Sequence, residues 1–193
     1  MGNPVVPNLN GSDPVVLILA AGRSERFRAA GGQGSKLDAQ LRTAGGTRSV
    51  LDHVIAAAQG SGLPCHVVLP ADTARHAEQG MGTSIATGVA ATPDASGWLI
   101  LPGDLPLITS KSIKSVADAL RHHALVVPFF QNVQGHPVGF GRQFRDELLG
   151  LRGDSGARGV LLRNQVHRLS VDDDGCVFDV DTPDLLLQAR NRF

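Results

Sequence analysis

Two clusters of the 193-residue sequence carry groups whose type and spacing could do chemistry. The first is LILAAGRSERFRAAGGQGSKL, Leu17 to Leu37, where an apolar run gives way to small residues and cations. Gly22 and the backbone N–H groups around it suit an anion nest, because a residue without Cβ lets a ligand approach the main chain. Arg23, Arg26 and Lys36 would neutralise a polyphosphate, the arginines by forked contacts and the lysine as a point charge. The competing reading is an ordinary solvated loop. Its place directly after a buried strand favours the phosphate cradle. Neither common phosphate motif fits: the lysine sits in Ser35-Lys36-Leu37 rather than Gly-Lys-Ser/Thr, and Gly80-x-Gly82 lacks a third glycine at residue 85.

The second cluster is LPGDLPL, Leu101 to Leu107, which would present Asp104 just past a strand end, in a turn shaped by Gly103 and Pro106. A lone aspartate there serves a turn; with a second carboxylate it could hold Mg²⁺, which takes one or two carboxylates and completes its octahedron with water and phosphate. Asp181, in FDVDTPDL, is the best second ligand, with Asp179 and Asp184 as competitors. Asp184 also suits the first turn of a helix. Gly153-Asp154-Ser155-Gly156 resembles a serine-protease nucleophile segment, but here it reads as a loop with Ser155 capping a helix. The seven histidines form no HExxH pair, and two distant cysteines give a zinc site little support.

The elements that must position these groups alternate strand and helix. Val15–Leu19, His66–Pro70, Trp98–Pro102 and Ala124–Phe130 are short apolar runs suited to buried strands. Between them, Val50, Leu51, Val54, Ile55 and Ala58 recur at helical spacing before a stop at Gly60, and Ile113, Val116, Ala117 and Leu120 share another helical face. Thr83 is read as the cap of a helix through Ile85 and Val89. Gly135–Phe140 begins a further strand, followed by the amphipathic RQFRDELLGL and a short helix ARGVLLRN. VHRLSV and CVFDVD are read as two strands around the turn DDDG, and Thr182-Pro183 as the cap and first residue of the last helix. Such alternation predicts a three-layer α/β fold with a mainly parallel sheet and an antiparallel hairpin around residues 126–140. In it, ligands sit beyond the carboxyl ends of the strands, where the loops after Leu19 and Leu101 emerge.

Eighteen basic residues balance eighteen acidic ones, which argues against nucleic acid or an anionic membrane as a bulk partner. No run approaches the about 20 apolar residues of a membrane helix. Residues 1–14, rich in Pro, Asn and Gly, read as a flexible tail without an export signal, leaving 15–193 as a single domain. Cys65 and Cys176 then read as reduced structural thiols in a cytoplasm.

Five segments together resemble the MobA-like NTP transferase family, most of all its molybdenum cofactor cytidylyltransferase branch. They are LAAGRSERF with Lys36-Leu37, GMGTSIATGV, LPGDLPLI, GHPVGFGRQFRDELLGLRGDSGARGVL and DVDTPDLL, spanning Leu19 to Leu186. The first and third are shared across nucleotidyltransferases; the fourth and fifth are more specific. The resemblance implies a Rossmann-like domain that transfers a nucleoside monophosphate to a phosphorylated acceptor, molybdopterin, and releases pyrophosphate. It implies that Ala20, Ala21 and Gly22 contact base and phosphates, that Arg23, Arg26 and Lys36 hold the triphosphate, and that Gly82, Thr83 and Ser84 line base and ribose. Asp104 and Asp181 would bind Mg²⁺, with Lys36, Asp104 and Arg26 as the catalytic set. Gly135, His136, Pro137 and Asp154 would face the acceptor. Ala21 stands where guanylyl-transferring relatives usually carry a second glycine, which favours CTP over GTP. The alternatives are a GTP-using guanylyltransferase, a sugar-phosphate nucleotidyltransferase, or a catalytically inactive nucleotide-binding regulator or chaperone serving a recipient molybdoenzyme. Three departures stand out: the long link Arg28–Gly34, the short segment Leu69–Gly80, and Gln134 where a basic residue often precedes Gly-His-Pro.

Overall fold

The computed structural model describes residues 13–43 and 46–193. Residues 1–12 of the expected tail lie outside the described residues. β1 (Val15–Leu19) opens the chain, followed by a short α1 (Glu25–Ala29), the hairpin of β2 (Gln40–Thr43) and β3 (Gly46–Ser49), and α2 (Val50–Gly60). Then come β4 (Cys65–Val68), α3 (Pro70–Thr73), α4 (Met81–Ala91), β5 (Gly97–Pro102) and α5 (Ser110–Leu120). β6 (Leu125–Phe130), β7 (Val133–Gln134), β8 (Val138–Gly141), α6 (Arg145–Leu149), α7 (Arg158–Arg163), β9 (His167–Ser170) and α8 (Pro183–Arg190) complete it.

β1 is parallel to both β4 and β5, and β9 is parallel to β6. β8 runs antiparallel between β5 and β6, and β7 pairs antiparallel with β6 at Phe129–Phe130. The mainly parallel sheet and the hairpin near residues 126–140 are therefore both present. The β2–β3 hairpin is a second, separate sheet that periodicity did not reveal.

Alternation along β1 explains the layers. Val16 and Ile18 face a core shared with α2, α5 and α8, through Val54, Ile113 and Leu186. Val15 and Leu17 face the opposite core, shared with α4, α6 and α7, through Ile85, Leu148 and Val160. Successive strand residues point to opposite faces, so one continuous apolar run serves both layers. Ser49 starts α2 with a capping box: its hydroxyl accepts from Asp52 N–H at 3.1 Å, and the Asp52 carboxylate accepts from Ser49 N–H at 3.2 Å. Such a cap contributes about 1 kcal/mol. Thr182 caps α8 by accepting from Leu185 N–H at 3.3 Å, with Pro183 in the first turn as its sequence predicts.

Several local expectations change. CVFDVD is not a strand. The Asp173 carboxylate accepts from Gly175 N–H at 3.0 Å and from Thr109 N–H and hydroxyl at 3.1 and 2.7 Å. That winds Asp174–Val177 into a 3-10 turn against the start of α5. Gly60 lies inside α2, and the left-handed residue that follows the helix is Gly62, φ 76°. Thr83 lies within α4, whose cap is Gly80. Ser155 belongs to a 3-10 turn before α7 and caps no helix. Among the described residues, no helix is long and apolar enough to cross a membrane.

Candidate active site

The carboxyl ends of β1 and β5 emerge side by side. Gly103 N–H, just beyond β5, donates to the Leu19 carbonyl at 3.0 Å. A Cβ on Gly103 would stand 3.0 Å from that oxygen and 3.1 Å from Leu51 Cδ1, so glycine lets the two strand ends meet without pushing either neighbour aside. A cleft of about 590 Å³ opens above them.

One wall is the loop after β1. It is cationic, yet it is anchored rather than loose. Phe27 and Leu37 are buried in the core below it. Ser24, in the left-handed region at φ 53°, caps nothing through its side chain. Instead its hydroxyl accepts from Lys36 N–H at 3.1 Å and lies 3.5 Å from the Ser35 hydroxyl. Ser35 in turn accepts from Leu37 N–H at 3.2 Å. These bonds fold the long Arg28–Gly34 link outward and return Lys36 to the cleft. No described atom would lie within 4 Å of a Cβ on Gly22, so the backbone there is open to a ligand.

Asp104 and Asp181 come together through one backbone bond, Val180 N–H donating to the Asp104 carbonyl at 2.9 Å. Both carboxylates reach the same ammonium. Lys36 Nζ lies 2.6 Å from Asp104 Oδ2 and donates to Asp181 Oδ1. Arg26 Nη1 donates to Asp181 Oδ2 at 2.9 Å. Burial alone would lower the Lys36 pKa, but the two carboxylates beside it more than reverse that and hold it above its usual value. Burial likewise pushes Asp181 up, and Lys36 and Arg26 overcome this to leave its carboxyl below the ordinary range. Asp179 also lines the cleft, and burial raises its pKa, as do the carboxylates of Asp181 and Asp104, while its own backbone and Lys36 oppose. Asp104 Oδ1 is buried with no hydrogen-bond partner.

The opposite wall is the start of α4. Gly80 (φ 146°) caps it without a side-chain bond. A Cβ on Gly80 would lie 2.4 Å from Asp154 Oδ1 and 2.5 Å from the Gly153 carbonyl oxygen. Gly82 permits a similar approach to the Arg152 carbonyl, where a Cβ would stand at 2.8 Å. The Thr83 hydroxyl donates to the Glu78 carbonyl at 2.7 Å and accepts from Gly153 N–H at 3.2 Å. Gly82 and Thr83 thus lie behind the cleft and support the loop that brings Asp154 to its edge, while Ser84 lines it.

Of the remaining nominated residues, Ala21, Gly22, Arg23, Arg26, Lys36, Asp104, His136, Asp154 and Asp181 line the cleft. Ala20 is buried beneath it, its N–H donating to the Val68 carbonyl at 2.9 Å. Gly135 and Pro137 are buried on either side of His136, with a cis peptide between His136 and Pro137. Gly135 N–H donates to the Pro128 carbonyl and His136 N–H to the Cys176 carbonyl, both at 2.9 Å. Burial lowers the His136 pKa against the opposing pull of the Ile100 carbonyl and Asp104, and its Nδ1 has no partner. Sequence reasoning missed Ser24, Gln79, Gly80, Met81 and Cys176 as cleft residues. Gly80 had a readable signal in the run QGMG; Cys176 had none.

The cleft therefore sets three cations, Arg23, Arg26 and Lys36, among five acids, Glu25, Asp104, Asp154, Asp179 and Asp181. A polyanion would enter this surplus of negative charge only with cations of its own. The residues fit a divalent metal: Asp104 offers a buried carboxylate oxygen without a partner, and Asp181 stands across the same ammonium. Among the described residues, no group of three or more His, Cys, Asp or Glu could hold a metal ion, so a metal here would take its remaining ligands from water or substrate.

Several known proteins are similar to this chain. Purine catabolism protein PucB of Bacillus subtilis (strain 168) is 30% identical over 87% of this chain and 91% of its own. Molybdenum cofactor cytidylyltransferase of Escherichia coli (strain K12) is 24% identical over 60% of this chain and 59% of its own. Bifunctional protein GlmU of Xanthomonas axonopodis pv. citri (strain 306) is 35% identical over 68% of this chain, but the match spans only 30% of that longer protein. Among solved structures, a nucleotidyl transferase from Methanothermobacter thermautotroptrophicus (Mth528) superposes with TM-score 0.74 at 16% identity, covering 94% of this chain and 97% of its own. Rv0371c from Mycobacterium tuberculosis H37Rv gives 0.73 at 24% identity, covering 93% and 97%, and has also been crystallised with manganese. These structures share the fold. Residues 16–169 match the MobA-like NTP transferase domain, and the chain belongs to that family of nucleotidyltransferases.

Proposed function

We propose that this protein transfers CMP from CTP to molybdopterin and releases pyrophosphate, with Mg²⁺ held by Asp104 and Asp181. The observation that carries the reading is the convergence of both carboxylates on Lys36 at the sheet edge, facing an open Gly22 backbone. The cytidylyltransferase from Escherichia coli, similar over more than half of this chain, supports the choice of nucleotide and acceptor.

In this reading Ala21, Gly22 and Arg23 receive the triphosphate from one side, while Lys36 and Arg26 turn from the carboxylates to its phosphate oxygens. Ser84 and the start of α4 border the nucleoside, and Gly82 and Thr83 hold that wall in place. His136 and Asp154 face the acceptor, with Gly135, Pro137 and Ala20 shaping the cleft from behind. A bound Mg²⁺ supplies charge neutralisation at the α-phosphate and at the departing pyrophosphate. An oxygen of the acceptor phosphate attacks the α-phosphorus. The bond from that phosphorus to the bridging oxygen breaks, and pyrophosphate departs with the electron pair. The attacking phosphate has a second pKa of about 6 and is ionised near neutrality, so the chain has no need of a strong general base. Its contribution is in-line positioning and the charge of Lys36 and Arg26. Two free thiols, Cys65 and Cys176, both held above their ordinary pKa by burial, suit a reducing cytoplasm.

Pyrophosphate release is to be measured with molybdopterin and either CTP or GTP. Preference for CTP is the expected result. A preference for GTP overturns the base assignment, and turnover with a sugar phosphate but not molybdopterin overturns the acceptor.

A further inference from the structure

The carboxylates assigned to the metal are already engaged by the phosphate loop's own cations. Lys36 Nζ bridges Asp104 Oδ2 and Asp181 Oδ1, and Arg26 takes Asp181 Oδ2. Asp104 keeps Oδ1 unpartnered, but both Asp181 oxygens are taken, so a divalent ion shared by the two carboxylates must compete with Lys36 and Arg26. Ammonium and metal are therefore competitors.

The loop is built so that only side chains need move. Lys36 N–H is pinned by the Ser24 hydroxyl, and the next residue, Leu37, is buried. The backbone stays while the flexible four-carbon stem of Lys36 can swing. The Arg26 side chain is 83% exposed and can turn away without crossing packed atoms.

We propose that Lys36 and Arg26 form a cation-exchange gate, holding Asp104 and Asp181 closed to a divalent ion until a triphosphate draws both cations onto its own oxygens. The inference rests on the nucleotidyl-transfer reading and adds a consequence to it. Metal and nucleotide bind with positive coupling, and linkage makes the effect reciprocal, typically about 5- to 150-fold. Metal alone meets a guarded site; metal with triphosphate meets free carboxylates.

The test is Mn²⁺ binding to the full chain by electron paramagnetic resonance, with and without CTP or GTP. Lys36→Gln is expected to tighten Mn²⁺ binding without nucleotide by about tenfold or more, because two carboxylates lose their counter-ion. Arg26→Gln is expected to shift it the same way by less. In the wild type, nucleotide is expected to raise Mn²⁺ affinity at least about fivefold, and in Lys36→Gln that gain should shrink. Unchanged or weaker Mn²⁺ binding in Lys36→Gln overturns the gate. Should Lys36→Gln fail to fold by circular dichroism, Arg26→Gln decides by the same criterion, since its exposed side chain is not part of the core. Nucleotide that binds but leaves Mn²⁺ affinity unchanged overturns the gate alone. Failure of both CTP and GTP to bind, with or without Mn²⁺, overturns the nucleotidyl-transfer reading itself.

Discussion

Lys36 and Asp181 stand 145 residues apart in the chain and share a direct hydrogen bond. Two contacts to the main chain make that meeting possible. Ser24 fixes the backbone of Lys36, and the bond from Val180 N–H to the Asp104 carbonyl lays the last loop against the β5 turn. The site is thus assembled by contacts to the main chain, which bring its charged side chains together.

Asp104→Asn should keep the fold and lose the reaction. The change preserves volume but removes the negative charge that faces Lys36 and would hold a metal, leaving one neutral amide oxygen. Turnover is expected to fall by about two to three orders of magnitude, the loss of several kcal/mol of charge stabilisation. Steady-state pyrophosphate release checks this; activity within a few-fold of wild type would remove Asp104 from the mechanism.

Arg26→Ala should separate binding from stability. Its ion pair with Asp181 involves a largely exposed guanidinium, and such pairs contribute about 0–1 kcal/mol. Urea unfolding is expected to shift by no more than that, while KM for the nucleotide rises several-fold. A large loss of stability with unchanged KM would assign Arg26 a structural role instead.

Ser24→Ala tests the anchor of the lysine loop. Removing the hydroxyl leaves Lys36 N–H without its acceptor, at a cost of about 1 kcal/mol. A rise in nucleotide KM should exceed any change in the melting temperature of the core, because the released segment is local.

Gly80→Ala combines two penalties. The residue lies at φ 146°, and the new methyl would meet the Asp154 carboxylate and the Gly153 carbonyl oxygen at about the closest distances in the cleft wall. We expect a loss of at least about 1 kcal/mol and a displaced Asp154 loop, seen as a lower melting temperature together with weaker acceptor binding.

The acid side of the stability profile should bear the mark of His136. Burial lowers its pKa, so the unfolded chain takes up a proton more readily than the folded one. Its stabilising contribution is complete above about pH 6.5 and declines as pH falls from there to the depressed folded value. His53 and His66 act in the same direction, also chiefly through burial. Melting temperature measured against pH should decline over that window, and His136→Asn should flatten the slope; an identical slope contradicts the assignment.

What could be read from the sequence follows from how local each signal is. β1, α2, α5 and the capped start of α8 announce themselves through apolar spacing and a single capping residue. Arg26, Lys36, Asp104 and Asp181 could be nominated because each lies beside a strand end or a helix start. The β2–β3 hairpin was not legible, since its residues are mostly polar and bury only Leu41. CVFDVD looked like a strand by its apolar content, but the Asp173 carboxylate organises it across the chain from Thr109, which no local pattern reports. Thr83 had the right chemistry for a cap and the wrong register, because Gly80 already begins the helix and Thr83 is spent on Gly153. Contacts of that kind, made between distant loops, are where sequence reasoning stopped.

The most direct measurement is a crystal structure of the full chain with CTP and Mg²⁺. A metal is expected about 2.1 Å from a carboxylate oxygen of each of Asp104 and Asp181, with Lys36 Nζ moved from both onto the triphosphate beside Gly22. A nucleotide bound away from that edge, or a metal on other residues while Lys36 keeps both carboxylates, would contradict it.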